Sequence, residues 1–191
     1  STAPLLEAVE YRDMNFSNRF AQQSKYRGPP TPDIEEAWQE LLKLNPVSIP
    51  EDKIELLGRS PRWNWQRFQM SENGPSEGSY VAGIEVFHQL HCLNLVRQFT
   101  WLDHYTTPPQ GLTGSAVETR MHVDHCLETL RIILMCNADV TPFLMEQDQS
   151  FAVGGRADFN AYHRCKDWGK IVEWMDENSF SSSTSHSSHG Q

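Results

Sequence analysis

The sequence has no long apolar run and few basic residues, and each shortage argues against a class of protein. No stretch of 18 consecutive apolar residues occurs in the 191 residues, so the chain as given contains no predicted membrane span. Lys and Arg number 16 against 25 Asp and Glu, a net charge of -9, which disfavours nucleic acid as a partner. The chain also lacks an initial Met, and we interpret its start as that of a mature or trimmed protein.

Cysteine is scarce as well, and the four thiols leave the disulfide pattern open. Cys126 and Cys136 share one predicted helix and lie about 15 Å apart, whereas a disulfide needs Cα atoms within roughly 7 Å. One pattern joins Cys136 to Cys165 and Cys92 to Cys126, and the other joins Cys92 to Cys136 and Cys126 to Cys165. Thiols that stay free or bind metal are the alternative to both patterns.

Histidine, in contrast, is concentrated in a ten-residue pattern, H-x-x-H-C-L-x-x-x-R, that occurs twice. The first copy runs from His88 to Arg97 and the second from His122 to Arg131. Residues three and four apart share one helix face, so each copy places two histidines and a cysteine at the start of an apolar stripe. Buried imidazoles need polar partners, because an unpaired buried polar group costs roughly 1–3 kcal/mol.

The histidines of the two copies are therefore the predicted ligands of a shared metal site: His88, His91, His122 and His125. Imidazole suits copper, zinc, iron and nickel, and the affinity of nitrogen donors peaks at Cu(II). Asp124 lies off the histidine arc and is predicted to orient an imidazole from outside the metal. His163 is a candidate for an extra ligand. The alternatives are ordinary hydrogen-bonded core histidines, or a closed zinc site with a structural role.

Three further residues are candidates for binding or modification. Arg97 and Arg131 each follow the second histidine of a copy by six residues, and either could bind a substrate carboxylate or chloride. An ion pair with one of the abundant acidic residues is the alternative for both. Asn15-Phe16-Ser17 is a glycosylation sequon, which makes Asn15 a candidate acceptor in a secretory compartment.

Periodicity and loop signals predict a mainly α fold. We expect a single globular domain built on two packed motif helices, with long irregular arms and room for a short β element. Residues 1–30 are predicted to form an extended N-terminal arm, 31–178 the catalytic domain, and 179–191 a disordered tail rich in Ser and His. The motif helices are expected at about residues 84–105 and 116–137. The segment 162–168 is expected to lead a last helix.

The two motif copies, together with their flanks, resemble a known family. Glu85-Val86-Phe87-His88-Gln89-Leu90-His91-Cys92 and His122-Val123-Asp124-His125-Cys126 are similar to the paired H-x-x-H-C motifs of the UstYa-like fungal proteins. Gly28-Pro29-Pro30 upstream and the segment 136–142 after the second motif also look similar. The resemblance covers roughly residues 26–175.

The resemblance implies an enzyme of fungal mycotoxin and secondary-metabolite biosynthesis. It implies oxidation of unactivated C–H bonds in a small molecule or a ribosomal peptide, by hydroxylation, oxidative cyclisation or chlorination. One or two copper ions, with O2 and a reductant, are the implied cofactors, in agreement with the histidine pattern. It also implies a lumenal domain of the secretory pathway behind an N-terminal membrane helix that this chain lacks.

The same family leaves a second function open. Some members are thought to act in pairs, so we expect either a homo-oligomer or a hetero-oligomer with a related chain. The alternative to an oxidase is then a non-catalytic partner subunit of a biosynthetic complex, stabilised by metal or by disulfides. Bound copper that depends on the motif histidines would favour the oxidase, and unexchangeable zinc would favour the partner subunit.

Overall fold

The computed structural model of the protein describes residues 4–43, 45–68, 78–147, 150 and 154–180. The chain divides into two compact units. The first unit comprises Ser1–Glu10, Lys43–His88 and Asp167–Gln191, and the second comprises Tyr11–Leu42 and Gln89–Lys166. Among the described residues, no helix is long and apolar enough to cross a membrane.

The described residues form four α-helices: α1 Pro32–Glu40, α2 Glu85–Thr100, α3 Ala116–Asn137 and α4 Trp168–Asn178. Short 3₁₀ helices cover Pro4–Ala8, Glu51–Leu57 and Leu102–His104. The strands form antiparallel pairs: β1 Tyr11–Asn15 with β6 Tyr162–Lys166, β2 Val47–Ile49 with β3 Tyr80–Ala82, and β4 Leu144–Gln147 with β5 Gly155–Asp158.

Local sequence signals explain where α3 begins and ends. The Ser115 side chain accepts a hydrogen bond from the backbone N–H of Glu118, and the Glu118 carboxylate accepts one from the backbone N–H of Ser115. This reciprocal capping box satisfies two donors that the first turn of a helix otherwise leaves unpaired. Ala138 then takes a left-handed conformation, φ 38°, and ends the helix.

The first unit is built on apolar side chains from β2, α2 and α4. Its core cluster contains Val47, Phe87, Ile171, Trp174 and Met175. Trp174 also donates its indole N–H to the Glu7 carboxylate at 2.7 Å, which ties the N-terminal 3₁₀ helix to α4. Burial of Phe87, which is 1% exposed, anchors the first turn of α2 in this unit.

The second unit is built on the packing of α2 against α3. Its core cluster contains Cys92, Leu95, Leu112, Val123 and Cys126. Both motif cysteines are 0% exposed, so the apolar stripes of the two motif copies meet at these thiols. The two motif helices therefore pack against each other, as the periodicity predicted.

The fold is mainly helical, as predicted, but it has more strand than a single short β element. The segment 162–166, expected to lead the last helix, is strand β6, and the helix begins only at Trp168. The N-terminal arm contains β1, whose Tyr11 pairs with Lys166. Local sequence patterns contain no information on a partner 155 positions away, so this pairing was missed. Residues 181–191 of the predicted tail lie outside the described residues.

Candidate metal centre

His88 and Cys92 lie one turn apart on the same face of α2. Both residues lie within the unbroken helix α2, Glu85–Thr100. The spacing between the two side chains is therefore set by the helix itself. Nδ1 of His88 lies 3.4 Å from a carboxylate oxygen of Glu85 in the preceding turn.

One residue of α3 completes a group of three side chains that could hold a metal ion. Ligand atoms of His88, Cys92 and His125 all lie within 4.8 Å of one another. Cys92 is fully buried, whereas His125 is exposed and the side chain of His88 is 43% exposed. The group therefore has a protein side formed by the thiol and a solvent side formed by the imidazoles.

The other two motif histidines form a separate pair. The ring centres of His91 and His122 are 6.1 Å apart, with the ring planes tilted by 38°. A metal ion about 2 Å from a ring nitrogen lies about 3 Å from the centre of that ring, so two rings at this separation can share one ion if a nitrogen of each faces the gap between them. The four predicted ligands thus divide into two subsets.

Gly111, in the loop before α3, fixes the orientation of His122. The ring nitrogen Nδ1 of His122 lies 2.9 Å from the carbonyl oxygen of Gly111. Because a carbonyl oxygen can only accept a hydrogen bond, Nδ1 must carry the proton and donate it. That tautomer leaves Nε2 with its lone pair, as metal-bound histidines require. Gly111 has φ +92°, and a Cβ at this position would lie 3.2 Å from Cε1 of His122 and 3.2 Å from Cδ1 of Leu95.

The two motif thiols contact each other between the helices. Burial raises the pKa of Cys126 to about 12, and its hydrogen bond with Cys92 acts in the same direction. Cys126 is therefore a protonated thiol at neutral pH, hydrogen-bonded with Cys92. All four cysteines are among the described residues and are in the thiol form. The structure brings together Cys92 and Cys126, one pair of the first disulfide pattern, and the disulfides remain a prediction.

The donor set fits a soft or borderline transition metal. Imidazole nitrogen and thiolate sulfur together suit copper and zinc, whereas magnesium and calcium prefer oxygen. Two imidazoles with one thiolate is the ligand set of trigonal copper sites. Glu85 beside His88 and the Gly111 carbonyl beside His122 are the outer hydrogen-bond partners that such ligands usually have.

His163, the predicted extra ligand, lies in a different setting. Its Nδ1 is 2.8 Å from the Ala161 carbonyl oxygen, and its Nε2 is 3.1 Å from the Asp139 carboxylate. Its ring stacks on Phe16 with centres 3.7 Å apart. Both ring nitrogens already have partners, so binding a metal would require displacement of Asp139 or of the carbonyl.

Arg97 belongs to a partly buried polar cluster between α1 and α2. It donates to Glu35 at 2.7 Å and to Asn94 at 2.8 Å, and Tyr105 donates to the same Glu35 carboxylate at 3.0 Å. Burial alone would raise the pKa of Glu35, but hydrogen bonds from Arg97, Gln98 and Tyr105 outweigh it and lower the pKa. Burial raises the pKa of Tyr105 to about 12, with a further contribution from Glu35. Arg97 is thus in the ion pair that was the alternative to anion binding.

Arg131 and Asp124 form local pairs on the exposed face of α3. Arg131 donates to Glu128 three residues earlier, at 2.7 Å, and its side chain is 53% exposed. Asp124 accepts hydrogen bonds from Arg120 four residues earlier, and that carboxylate is also exposed. The structure therefore pairs Asp124 with an arginine, and its predicted role beside an imidazole remains untested.

Sequence reasoning had centred the site on imidazole alone. It treated metal binding by thiol only as an alternative, yet Cys92 is the buried member of the three-residue group. The i, i+4 spacing of His88 and Cys92 on a helix was the signal that could have given Cys92 equal weight. The roles of Glu85 and Gly111 depend on loop and rotamer geometry, which the motif does not encode.

Comparison with known proteins agrees with the motif. A family model described as "Mycotoxin biosynthesis protein UstYa" matches residues 1–178. The chain belongs to the UstYa family. It is 37% identical over 175 residues to the UstYa family oxidase phomYc of Diaporthe leptostromiformis, covering 90% of this chain and 67% of that protein.

Relatives of the UstYa-family chain carry more than one kind of name. This chain is 36% identical over 177 residues to "Transacylase cctO" of Talaromyces islandicus, and the match covers 90% of this chain and 58% of that protein. It is 29% identical over 136 residues to "Chlorinase cctP2" of the same organism, covering 70% of this chain and 37% of that protein. The chain thus spans between about a third and two-thirds of these relatives. No solved structure matches it.

Proposed function

We propose that this UstYa-family chain is a copper-dependent, O2-using oxidoreductase that acts on unactivated C–H bonds of a fungal secondary metabolite or ribosomal peptide. The observation that carries the proposal is the group of His88, Cys92 and His125, with ligand atoms within 4.8 Å. Relatives named as an oxidase and as a chlorinase support oxidative chemistry, with hydroxylation, cyclisation and chlorination as the candidate outcomes.

Each side chain of the centre has a definite task in this proposal. His88, Cys92 and His125 hold one copper ion, and His91 with His122 either complete its ligands or hold a second. Bound copper supplies one-electron exchange with O2 and a reductant. Glu85 holds the His88 ring, and the Gly111 carbonyl keeps the Nδ1 proton of His122 so that Nε2 faces the ion. Cys126, which shares a hydrogen bond with Cys92, moderates the donor strength of that sulfur.

The uneven burial of the centre supports catalysis over a closed structural site. Cys92 is 0% exposed, while His125 and much of His88 face solvent. Catalytic metal sites keep an open position for substrate, whereas structural sites have four protein ligands and are closed. The exposed imidazole side is where a metabolite or an extended peptide would approach the ion.

The second candidate is a non-catalytic subunit that supports a related chain. The observation in its favour is the pair of fully buried, hydrogen-bonded thiols, which a Cys92–Cys126 disulfide would convert into a covalent clamp between α2 and α3. Exposed apolar side chains on α3, such as Leu134 at 72% and Met135 at 67%, offer surface for a homo- or hetero-oligomer. Disulfides require an oxidising compartment, in keeping with the secretory lumen.

Copper binding can be tested directly. The chain is loaded with Cu(II), and copper content and the electron paramagnetic resonance signal are measured in His88→Ala and His125→Ala. Both variants should lose most of the bound copper, while His104→Ala, which alters an exposed histidine outside the motifs, should keep it. A copper–thiolate absorption band that disappears in Cys92→Ser would identify the sulfur ligand. Equal copper content in all variants would refute the centre.

Activity is a separate measurement. The copper-loaded protein is incubated with the candidate metabolite or peptide, a reductant, O2 and chloride, and the products are read by mass. Gain of one oxygen, loss of two hydrogens or exchange of hydrogen for chlorine would distinguish the three reactions. The partner-subunit function would be favoured by a different result. The protein would bind stoichiometric copper but consume no O2 with substrate present, and turnover would appear only after a related chain is added.

A further inference from the structure

A second candidate site is a cavity of about 1090 Å³ in the second unit. The residues around it come from the segment that follows β1, from the β4–β5 hairpin and from the turn after β5. Its volume is above the roughly 300–1,000 Å³ of pockets that hold drug-sized ligands. Its four charged residues are two arginines and two acids, Arg19, Arg156, Glu146 and Asp158, so the lining has no net charge. Such a lining suits a large neutral ligand.

The glycosylation sequon lies on the wall of this cavity. Asn15 ends β1 and is exposed, and both Asn15 and Ser17 line the cavity. The Ser17 hydroxyl oxygen accepts a hydrogen bond from Gln22 at 2.6 Å, and this bond orients the sequon hydroxyl. The sequence contains one Asn-x-Ser/Thr site with no Pro at x, so any N-linked glycan has one place to attach. A sugar on the Asn15 amide nitrogen would begin inside the cavity.

An unusually exposed aromatic ring lies beside the sequon. Phe20 lines the cavity and is 90% exposed. Its loop is nonetheless held firmly, because Nη1 of Arg27 donates to the carbonyl oxygens of Arg19, Phe20 and Gln22 at 3.0, 3.2 and 2.9 Å. An exposed Phe forgoes roughly 1.5–3 kcal/mol of burial, so a fixed loop that presents one to solvent needs another reason.

The rest of the lining complements a sugar chain. Phe159, 38% exposed, adds a second ring. Asp158 and Asn160 add a carboxylate and an amide, which hydrogen-bond each other at 2.9 Å and have further acceptor positions. Sugars present apolar C–H faces between hydroxyl groups, and a lining of aromatic rings with amide and carboxylate oxygens matches both features.

We propose that Asn15 carries an N-linked glycan whose first sugars lie in this cavity against Phe20 and Phe159, as a fixed part of the domain. The Asn15 amide nitrogen forms a C–N bond to the anomeric carbon of a lipid diphosphate-linked oligosaccharide in the secretory lumen. The C–O bond of the donor breaks, the lipid diphosphate leaves with its electron pair, and the amide loses one proton. The glycan then covers aromatic surface that the polypeptide leaves exposed.

The modification is tested on the whole 191-residue chain secreted from a eukaryotic host. Intact mass is measured before and after enzymatic removal of N-glycans. The wild type should carry a glycan, Asn15→Gln and Ser17→Ala should lack it, and Ser17→Thr should keep it. An unmodified Asn15 in folded, secreted protein would overturn the proposal and assign the cavity to another ligand.

Packing of the glycan needs its own measurement, since a surface glycan would pass the first test. The rate of enzymatic glycan release is compared between native and unfolded protein. We expect release from the native wild type to be slower, and Phe20→Ala to accelerate native release about tenfold, since each tenfold corresponds to about 1.4 kcal/mol. Trp63→Ala removes an aromatic ring that is 68% exposed outside the cavity and should change nothing. Equal native and unfolded release rates would show a glycan in solvent and overturn the packing.

Discussion

The two motif copies have the same ten-residue pattern but different surroundings. In the first copy Arg97 is 11% exposed and bonds Glu35 of α1, whereas in the second Arg131 is 53% exposed and bonds Glu128 of its own helix. Matching letters in a repeat therefore do not imply matching roles. What differs is the neighbour: α1 covers the arginine of the first copy, and the corresponding stretch of α3 is open to solvent.

The two motif cysteines, Cys92 and Cys126, also differ in their surroundings. Both are 0% exposed, and Cys92 lies in a group with the imidazoles of His88 and His125, while Cys126 forms a hydrogen bond with Cys92. The copies thus contribute differently: the thiol of the first lies beside two imidazoles, and the thiol of the second lies beside the first thiol. This asymmetry can be broken by paired substitutions at equivalent positions.

The largest expected effect is on metal affinity. Cys92→Ser should weaken copper binding by more than about 100-fold, because it removes a ligand. Cys126→Ser should weaken it by about tenfold, the lower end for a residue that only contacts a ligand. Titration against a competing chelator measures both. Equal losses would mean that the two thiols act as one unit, as a disulfide would require.

The next largest effect concerns stability. Arg97→Ala should lower the free energy of unfolding by about 2–3 kcal/mol, because the half-buried carboxylate of Glu35 loses its charged partner. Breaking a fully buried ion pair would cost more, roughly 3–5 kcal/mol. Arg131→Ala should cost under about 0.5 kcal/mol, as exposed helix pairs do. Chemical denaturation compares the two. Similar losses would contradict the difference in burial as the cause.

Gly111 allows a finer test of the second copy. Gly111→Ala places a side chain on a backbone with φ +92° and brings its Cβ to 3.2 Å from Cε1 of His122. The substitution should therefore destabilise the protein by about 2 kcal/mol and weaken metal binding. Gly58→Ala is the matched control, because Gly58 also has positive φ, +68°, but nothing lies within 4 Å of its Cβ position. The left-handed conformation alone should cost Gly58→Ala about 1 kcal/mol, with no change in metal affinity. Unchanged metal affinity in Gly111→Ala would argue against His122 as a ligand.

The smallest effect is in the pH dependence of stability. The pKa of Glu35 in the folded protein is below its ordinary value of 4.5, so its stabilising contribution is present above that pH and is lost as the pH falls through the folded pKa. The unfolding free energy of Glu35→Gln should therefore fall less steeply with acid than that of the wild type. The hydrogen bond from Arg131 also lowers the pKa of Glu128, but solvent screens this exposed pair, so Glu128→Gln should change the slope less than Glu35→Gln. Identical slopes in Glu35→Gln and the wild type would show that the Arg97–Glu35 pair does not contribute to acid sensitivity.

Much of the helical frame could be predicted from local signals. The bounds of α3, Ala116–Asn137, agree with the predicted helix, because a capping box and a left-handed end residue delimit it within the sequence itself. Thr31 likewise caps α1, because its side chain accepts a hydrogen bond from the backbone N–H of Ile34. In contrast, β1 and β6 depend on each other over a long sequence separation, and neither has a strong apolar pattern of its own.

The sequence by itself determined the helical class, the two motif helices and the concentration of imidazole and thiol groups on them, because helix periodicity and side-chain chemistry are local properties. Only the tertiary structure decided how those donors divide: His88 and His125 with Cys92, and His91 with His122. It also decided that Arg97 is buried and Arg131 exposed. The physical reason is that burial and approach depend on which surfaces of separate segments meet, and equal motifs on two helices can meet unequal neighbours.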